Sequence, residues 1–153
     1  MTDNRIKQEI KEAELAKLNK DPTIQFGLKD QSDNKNWLAC INGPEGTPYH
    51  GFKLTLNITL PNNFPFSAPK VEFTENIWHP NVGSSGNICL DILQGNWTPA
   101  LKLSSVLLSI SSLLNEPNPA SALNSEAGRQ YTSNRDEYNR KVIETCSKNF
   151  EKN

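Results

Sequence analysis

Between residues 52 and 60, Phe52, Leu54, Leu56, Ile58 and Leu60 alternate with Lys53, Thr55, Asn57 and Thr59. A period of two puts every apolar side chain on one face, which specifies a β-strand with one buried side. Such a strand needs neighbours to pair with and a second layer to bury its face. Upstream, the short apolar run WLACI at 37–41 is followed by NGPEGTPYHG, a stretch of Pro and Gly that reads as a connection between two strands. Downstream, residues 70–73 form a shorter candidate strand. These connections are too short for helical crossovers, so the sheet is expected to be an antiparallel meander.

The rest of the chain reads as helix and loop. Ile6, Ile10 and Ala13 recur at helical spacing among Lys and Glu, with Thr2 and Asp3 as candidate caps and Asp21-Pro22 as the stop. Residues 103–114 show a broad apolar face of Val106, Leu107, Ile110, Leu113 and Leu114, with Ser104 as candidate cap. Tyr138, Val142, Cys146 and Phe150 recur every fourth residue and predict an amphipathic last helix. Between sheet and helices lies ENIWHPNVGSSGNICLDIL, punctuated by Pro, Gly, Asn and Ser. Long loops of this kind in compact domains are usually functional. The order helix, sheet, irregular loop, helices predicts an α+β domain.

Composition narrows the function classes. A chain of 153 residues with 35% apolar content supports one core, so residues 1–153 are read as a single domain without extensions. The net charge of −1, from 16 basic and 17 acidic residues spread along the chain, leaves no basic stripe for a phosphate backbone; nucleic acid is not an expected partner. No run approaches the length that spans a bilayer and the N-terminus has no apolar signal core, so a soluble, unprocessed protein without a membrane partner is expected. Cys40, Cys89 and Cys146 are odd in number and widely spaced, which argues against a disulfide framework and against a metal site. A reducing compartment, cytoplasm or nucleus, fits that usage.

A free cysteine is most often a small buried hydrophobe, and Cys40, in an apolar strand, and Cys146, on an apolar helix face, fit that reading. Cys89 differs: turn formers Ser84, Ser85, Gly86 and Asn87 precede it, and His79-Pro80-Asn81 lies upstream in the same loop. A thiolate is a strong nucleophile even when only a few per cent is ionised at neutral pH. If Cys89 attacks an acyl group an oxyanion forms, and the Asn81 amide is a candidate donor to it. A Cys-His hydrolase with His79 as base and Asn81 as orienter is the competing reading, with His50 the only other histidine. Against it, the following proline pushes His79 toward extended geometry, and a hydrolase histidine must reach the sulfur.

Taken in order, PYHG, NNFPFSAPKVEF, HPN, GNICLDIL, WTPA and LLNEPNP resemble the catalytic core of the ubiquitin-conjugating enzymes, from about Trp37 to the C-terminus. The resemblance implies an N-terminal helix, a four-stranded antiparallel meander, a long active-site loop and C-terminal helices. It also implies an enzyme that takes ubiquitin from the activating enzyme as a thioester on Cys89 and passes it to a lysine or to a ligase cysteine. By the same resemblance, Asn81 either stabilises the oxyanion or fixes the active-site loop, His79 supports that loop, Leu123 is the gate beside the cysteine, and Asp91 has a supporting role. Ser121 stands where many members carry Asp; it either orients the incoming lysine or simply caps the segment beginning at Ala122. No cofactor is implied, since ATP is used by the activating enzyme.

For partners, the resemblance points to Phe66, Pro99 and Ala100 as contacts for RING-type or HECT-type ligases, and to Arg5, Lys7 and Lys11 for the activating enzyme. For Phe66 the competing reading is a core aromatic beside Phe64, and Trp37 and Trp97 are expected in the core. Trp78 replaces a common tyrosine, Ala68 one proline of a usual pair, and Gly27 a serine that often serves a second, non-covalent ubiquitin site, which is therefore not expected. Within the same resemblance, the short spacing from Cys89 to Trp97, without the acidic insertion of the SUMO-conjugating relative, and a first helix that is not strongly basic imply ubiquitin rather than SUMO. Conjugation of another modifier and a non-catalytic ubiquitin-binding scaffold are the alternatives, and a monomer is expected.

Overall fold

The computed structural model describes residues 2–153. Helix α1 (Thr2–Leu18) is followed by strands β1 (Ile24–Asp30), β2 (Asp33–Asn42), β3 (Phe52–Thr59) and β4 (Lys70–Phe73). An irregular segment broken by a 3-10 turn at Asp91–Leu93 leads to α2 (Leu103–Asn115); a second 3-10 turn at Pro119–Ser121 precedes α3 (Ser125–Ser133), α4 (Arg135–Asn149) and β5 (Glu151–Lys152). The first four strands pair in sequence order and antiparallel, and β5 adds to the start of β3 through Phe52 with Lys152 and Lys53 with Glu151.

Register follows from the apolar pattern. Trp37 lies opposite Ile58, Ala39 opposite Leu56 and Ile41 opposite Leu54, and all six are buried on the helix-facing side. A slip of one residue would turn this whole set to solvent, at about 1.5–3 kcal/mol for each large side chain. Leu103, Val106, Leu107, Ile110 and Leu114 of α2 and Tyr138, Val142 and Cys146 of α4 belong to the same core.

Several sequence expectations are corrected. Strand β1 was not evident: Ile24 and Phe26 are buried and Leu28 half-buried, in period two with Gln25, Gly27 and Lys29 between them, but the run holds only three apolar residues and a glycine of low strand propensity. Strand β2 starts at Asp33, well before the 37–41 run, because Asp30 and Asp33 organise the preceding turn by accepting the Ser32 and Lys35 amides. Thr2 and Asp3 lie inside the first turn of α1, and the buried stripe of that helix is Ile6, Glu9 and Ala13, with Ile10 only half-buried. Ser104 does not cap α2: the cap position is Lys102 without a side-chain bond, and the Leu103 amide donates to the Glu9 carboxylate at 3.3 Å. Asn124, not Ser121, caps α3, its Oδ1 accepting the Ala127 amide at 3.1 Å.

Candidate active site

The loop after β4 is built as a small irregular hairpin. Val82 bridges Ile88, the Gly83 amide donates to the Asn87 carbonyl at 2.8 Å, and the Gly86 amide closes the turn on Gly83. Gly86 has φ +84°, and a Cβ there would lie 2.4 Å from the Phe73 carbonyl oxygen, so this position admits only glycine without displacement. The Phe73 amide in turn donates to Gly86 and anchors the hairpin to β4. Cys89 follows directly, half-buried, its amide donating to the Asn81 carbonyl at 2.9 Å.

Asn81 is the hub of the site and is 1% exposed. Its Nδ2 donates to the carbonyls of Asn118 (2.8 Å) and Ser121 (3.1 Å), and its Oδ1 accepts the Asn118 amide (2.8 Å). The Leu123 and Asn124 amides donate to the Pro80 carbonyl at 2.8 and 3.0 Å, which draws the segment 118–124 over the HPN turn. One buried amide therefore closes two loops distant in sequence against each other. Asn118 is a partner the sequence reading did not single out, although it lies within the LLNEPNP run.

His79 is fully buried. Its Nε2–H donates to the Leu113 carbonyl at 2.9 Å and its Nδ1 accepts the Asn81 amide at 2.9 Å, which assigns a neutral ring with the proton on Nε2. Burial drives its pKa down to about 4, the bond to Leu113 opposing weakly. Both ring nitrogens are committed, so His79 has none for the Cys89 sulfur, which removes the hydrolase arrangement. His50 is exposed in the 43–51 turn, away from this loop in the hydrogen-bond pattern.

Around this frame, Ser121 is exposed, its Oγ accepting from Asn118 Nδ2 at a long 3.5 Å, and Leu123 is 47% exposed. Asp91 is exposed and structures the turn after Cys89, its Oδ1 accepting the Ile92 amide at 2.8 Å. The other cysteines are sequestered: burial pushes the Cys146 thiol up to about 12 and raises that of Cys40, against which Lys53 acts. Tyr49, also missed by the sequence reading, sits buried between Tyr138, whose hydroxyl is 2.8 Å away, and the Trp78 carbonyl, and so ties α4 to the approach of the HPN turn.

The two phenylalanines of the 61–69 loop separate: Phe64 is 0% and Phe66 56% exposed. Pro99 and Ala100 are exposed as well. Trp37 is in the core, whereas Trp97 is only half-buried, its Nε1 donating to the Pro65 carbonyl at 2.8 Å and its ring 6.1 Å from Phe64. Of the α1 cations, Lys7 and Lys11 are exposed. Arg5 is half-buried and engaged within the chain: its guanidinium donates to the Pro99 and Leu101 carbonyls and pairs with Glu9.

A half-buried cysteine on a braced loop, beside a satisfied asparagine and a neutral histidine, on an α+β frame with a four-strand meander, defines a class of cysteine-bearing scaffold without an acid-base triad. The family model that matches is that of the ubiquitin-conjugating enzymes, over residues 5–146, and the chain belongs to this family. A provisionally assigned ubiquitin conjugating enzyme from Plasmodium yoelii is 36% identical, with 97% of this chain and 95% of that one covered at a TM-score of 0.87. The E2 domain of a Toxoplasma gondii ubiquitin conjugating enzyme is 31% identical, with 99% and 100% covered at a TM-score of 0.85. The helix, meander, loop and helices expected for the fold are those observed.

Proposed function

We propose that the protein accepts ubiquitin from the activating enzyme as a thioester on Cys89 and transfers it to a lysine amine or a ligase cysteine. The observation that carries this reading is the site's combination of a braced, half-buried cysteine with a histidine whose two nitrogens are already bonded. A pre-activated thioester needs little acid-base chemistry and gains from positioning, which a hydrogen-bonded loop supplies. In the free enzyme Asn81 has its Nδ2 and Oδ1 engaged, which favours the loop-fixing role over direct oxyanion donation. Ser121 and Leu123, exposed on the segment that Asn81 and Pro80 hold, are placed on the approach of the amine in this reading, with Ser121 lacking the charge of a carboxylate. Phe66, Pro99 and Ala100 offer the apolar contact to a RING-type or HECT-type ligase, and Lys7 and Lys11 the cationic contact to the activating enzyme. Action as a monomer in the cytoplasm or nucleus belongs to the same reading.

The test mixes the protein with activating enzyme, ubiquitin and ATP and resolves the products on a non-reducing gel. Wild type should give a reductant-sensitive adduct, Cys89→Ser a reductant-resistant one, and Cys89→Ala none. An adduct only with another ubiquitin-like modifier would reassign the cargo. None with any modifier would reject the enzymatic reading in favour of a binding scaffold.

A further inference from the structure

Glu9 is 1% exposed, an unusual place for a carboxylate, and its surroundings explain it. Both of its oxygens accept the Leu103 amide, at 3.3 and 3.4 Å, at the N-terminus of α2, where unsatisfied amides and the helix dipole favour an anion. Burial raises its pKa, the Leu103 amide and Arg5 acting against that. Arg5, one turn earlier on α1, meets Glu9 through Nε at 3.4 Å and spends its remaining fork on the carbonyls of Pro99 and Leu101. Its guanidinium carbon lies 5.8 Å from the centre of the Phe64 ring. Phe64 packs on Trp97, and Trp97 donates to Pro65, the residue before Phe66.

We propose that Arg5, held by Glu9, is a positioning residue that locks the loops bearing Phe66 and Pro99 with Ala100 into one partner-facing platform; this rests on the reading above of those loops as the ligase contact. The side chains of Phe66, Pro99 and Ala100 are all exposed. Their carrier loops are joined by Phe64, Trp97 and Arg5, and Glu9 ties the end of the second loop, at the first residue of α2, to α1. The planar fork of arginine reaches two carbonyls and a carboxylate together, which a lysine ammonium on a flexible stem does not. Losing it hands the exposed Pro99 carbonyl to water, removes a partner from the part-buried Leu101 carbonyl and leaves a buried carboxylate without its cation, so the loops loosen from each other and from α1.

The experiment compares wild type with Arg5→Gln, Glu9→Gln and Arg5→Lys by amide hydrogen exchange and by lysine discharge from the preformed thioester. Discharge is stimulated with the isolated RING domain, drawn from a panel, that activates wild type most. In Arg5→Gln and Glu9→Gln, exchange in 61–69 and 97–103 should rise together, by about tenfold, with β3 and α4 protected as before. The RING concentration for half-maximal stimulation should rise about tenfold with the maximal rate little changed, and Arg5→Lys should stay close to Arg5→Gln. Unchanged loop exchange, a uniform rise across the whole chain, or a wild-type RING response from loosened loops would each overturn the proposal. Failure of wild type to form a thioester would instead reject the function, and the exchange data would still read the lock.

Discussion

Acidification should single out His79. Its pKa falls from an ordinary 6.5 to about 4 in the folded protein because the ring is buried, the bond to Leu113 opposing only weakly. A depressed folded value means that the unfolded chain binds the proton more readily. The stabilisation is therefore complete above the unfolded value and is lost as pH falls toward the folded one. The whole window is worth about 3 kcal/mol, and by about pH 5 roughly 2 kcal/mol of it is gone. Glu9, whose folded pKa is raised, works the other way: its stabilising share is present below its unfolded value and fades as pH rises. Comparing wild type with His79→Gln cancels that opposing contribution. Urea unfolding followed by tryptophan fluorescence at about pH 7 and about pH 5 should show wild type losing roughly 2 kcal/mol more than the variant. Equal losses would refute the reasoning, as would proton NMR in which the ring signals of His79, one of 2 histidines, titrate near the ordinary value.

Asn81→Ala removes three hydrogen bonds to Asn118 and Ser121 and should cost about 3 kcal/mol in urea unfolding and slow lysine discharge together; slowed discharge at full stability would return the residue to the oxyanion. Gly86→Ala, strained both by φ +84° and by the Phe73 carbonyl, should lower stability by about 2 kcal/mol or more in thermal unfolding. Ser121→Asp should discharge to free lysine faster than wild type, and Ser121→Ala no faster; three equal rates would remove Ser121 from the amine's path. Phe66→Ala, at an exposed position, should leave stability within about 0.5 kcal/mol while weakening RING-stimulated discharge about tenfold.

Legibility tracked the range of the interaction involved. Strand β3, the last helix and the irregular loop were readable because period and turn chemistry are local properties of neighbouring residues. Strand β1 escaped because its alternation is only three apolar residues long and includes a glycine of low strand propensity, and α3 because nine residues carry too little apolar face to announce a helix. Cys89 could be picked out from its turn-forming neighbours, but His79 remained open between base and brace until its two bonds were seen.

By itself the sequence determined the order of sheet and helices, the antiparallel pairing of the strands from β2 to β4 and the place of Cys89 in a loop, since these follow from hydrophobic period and connection length. Only the tertiary structure decided what the polar residues do. A carboxylate in a helical stripe became the acceptor at the start of another helix, an arginine of the first helix met carbonyls 94 and 96 residues away, and an asparagine became the clasp between two loops. The physical reason is that an apolar side chain needs only to be covered. A buried polar group must find particular partners, and here those partners lie far along the chain.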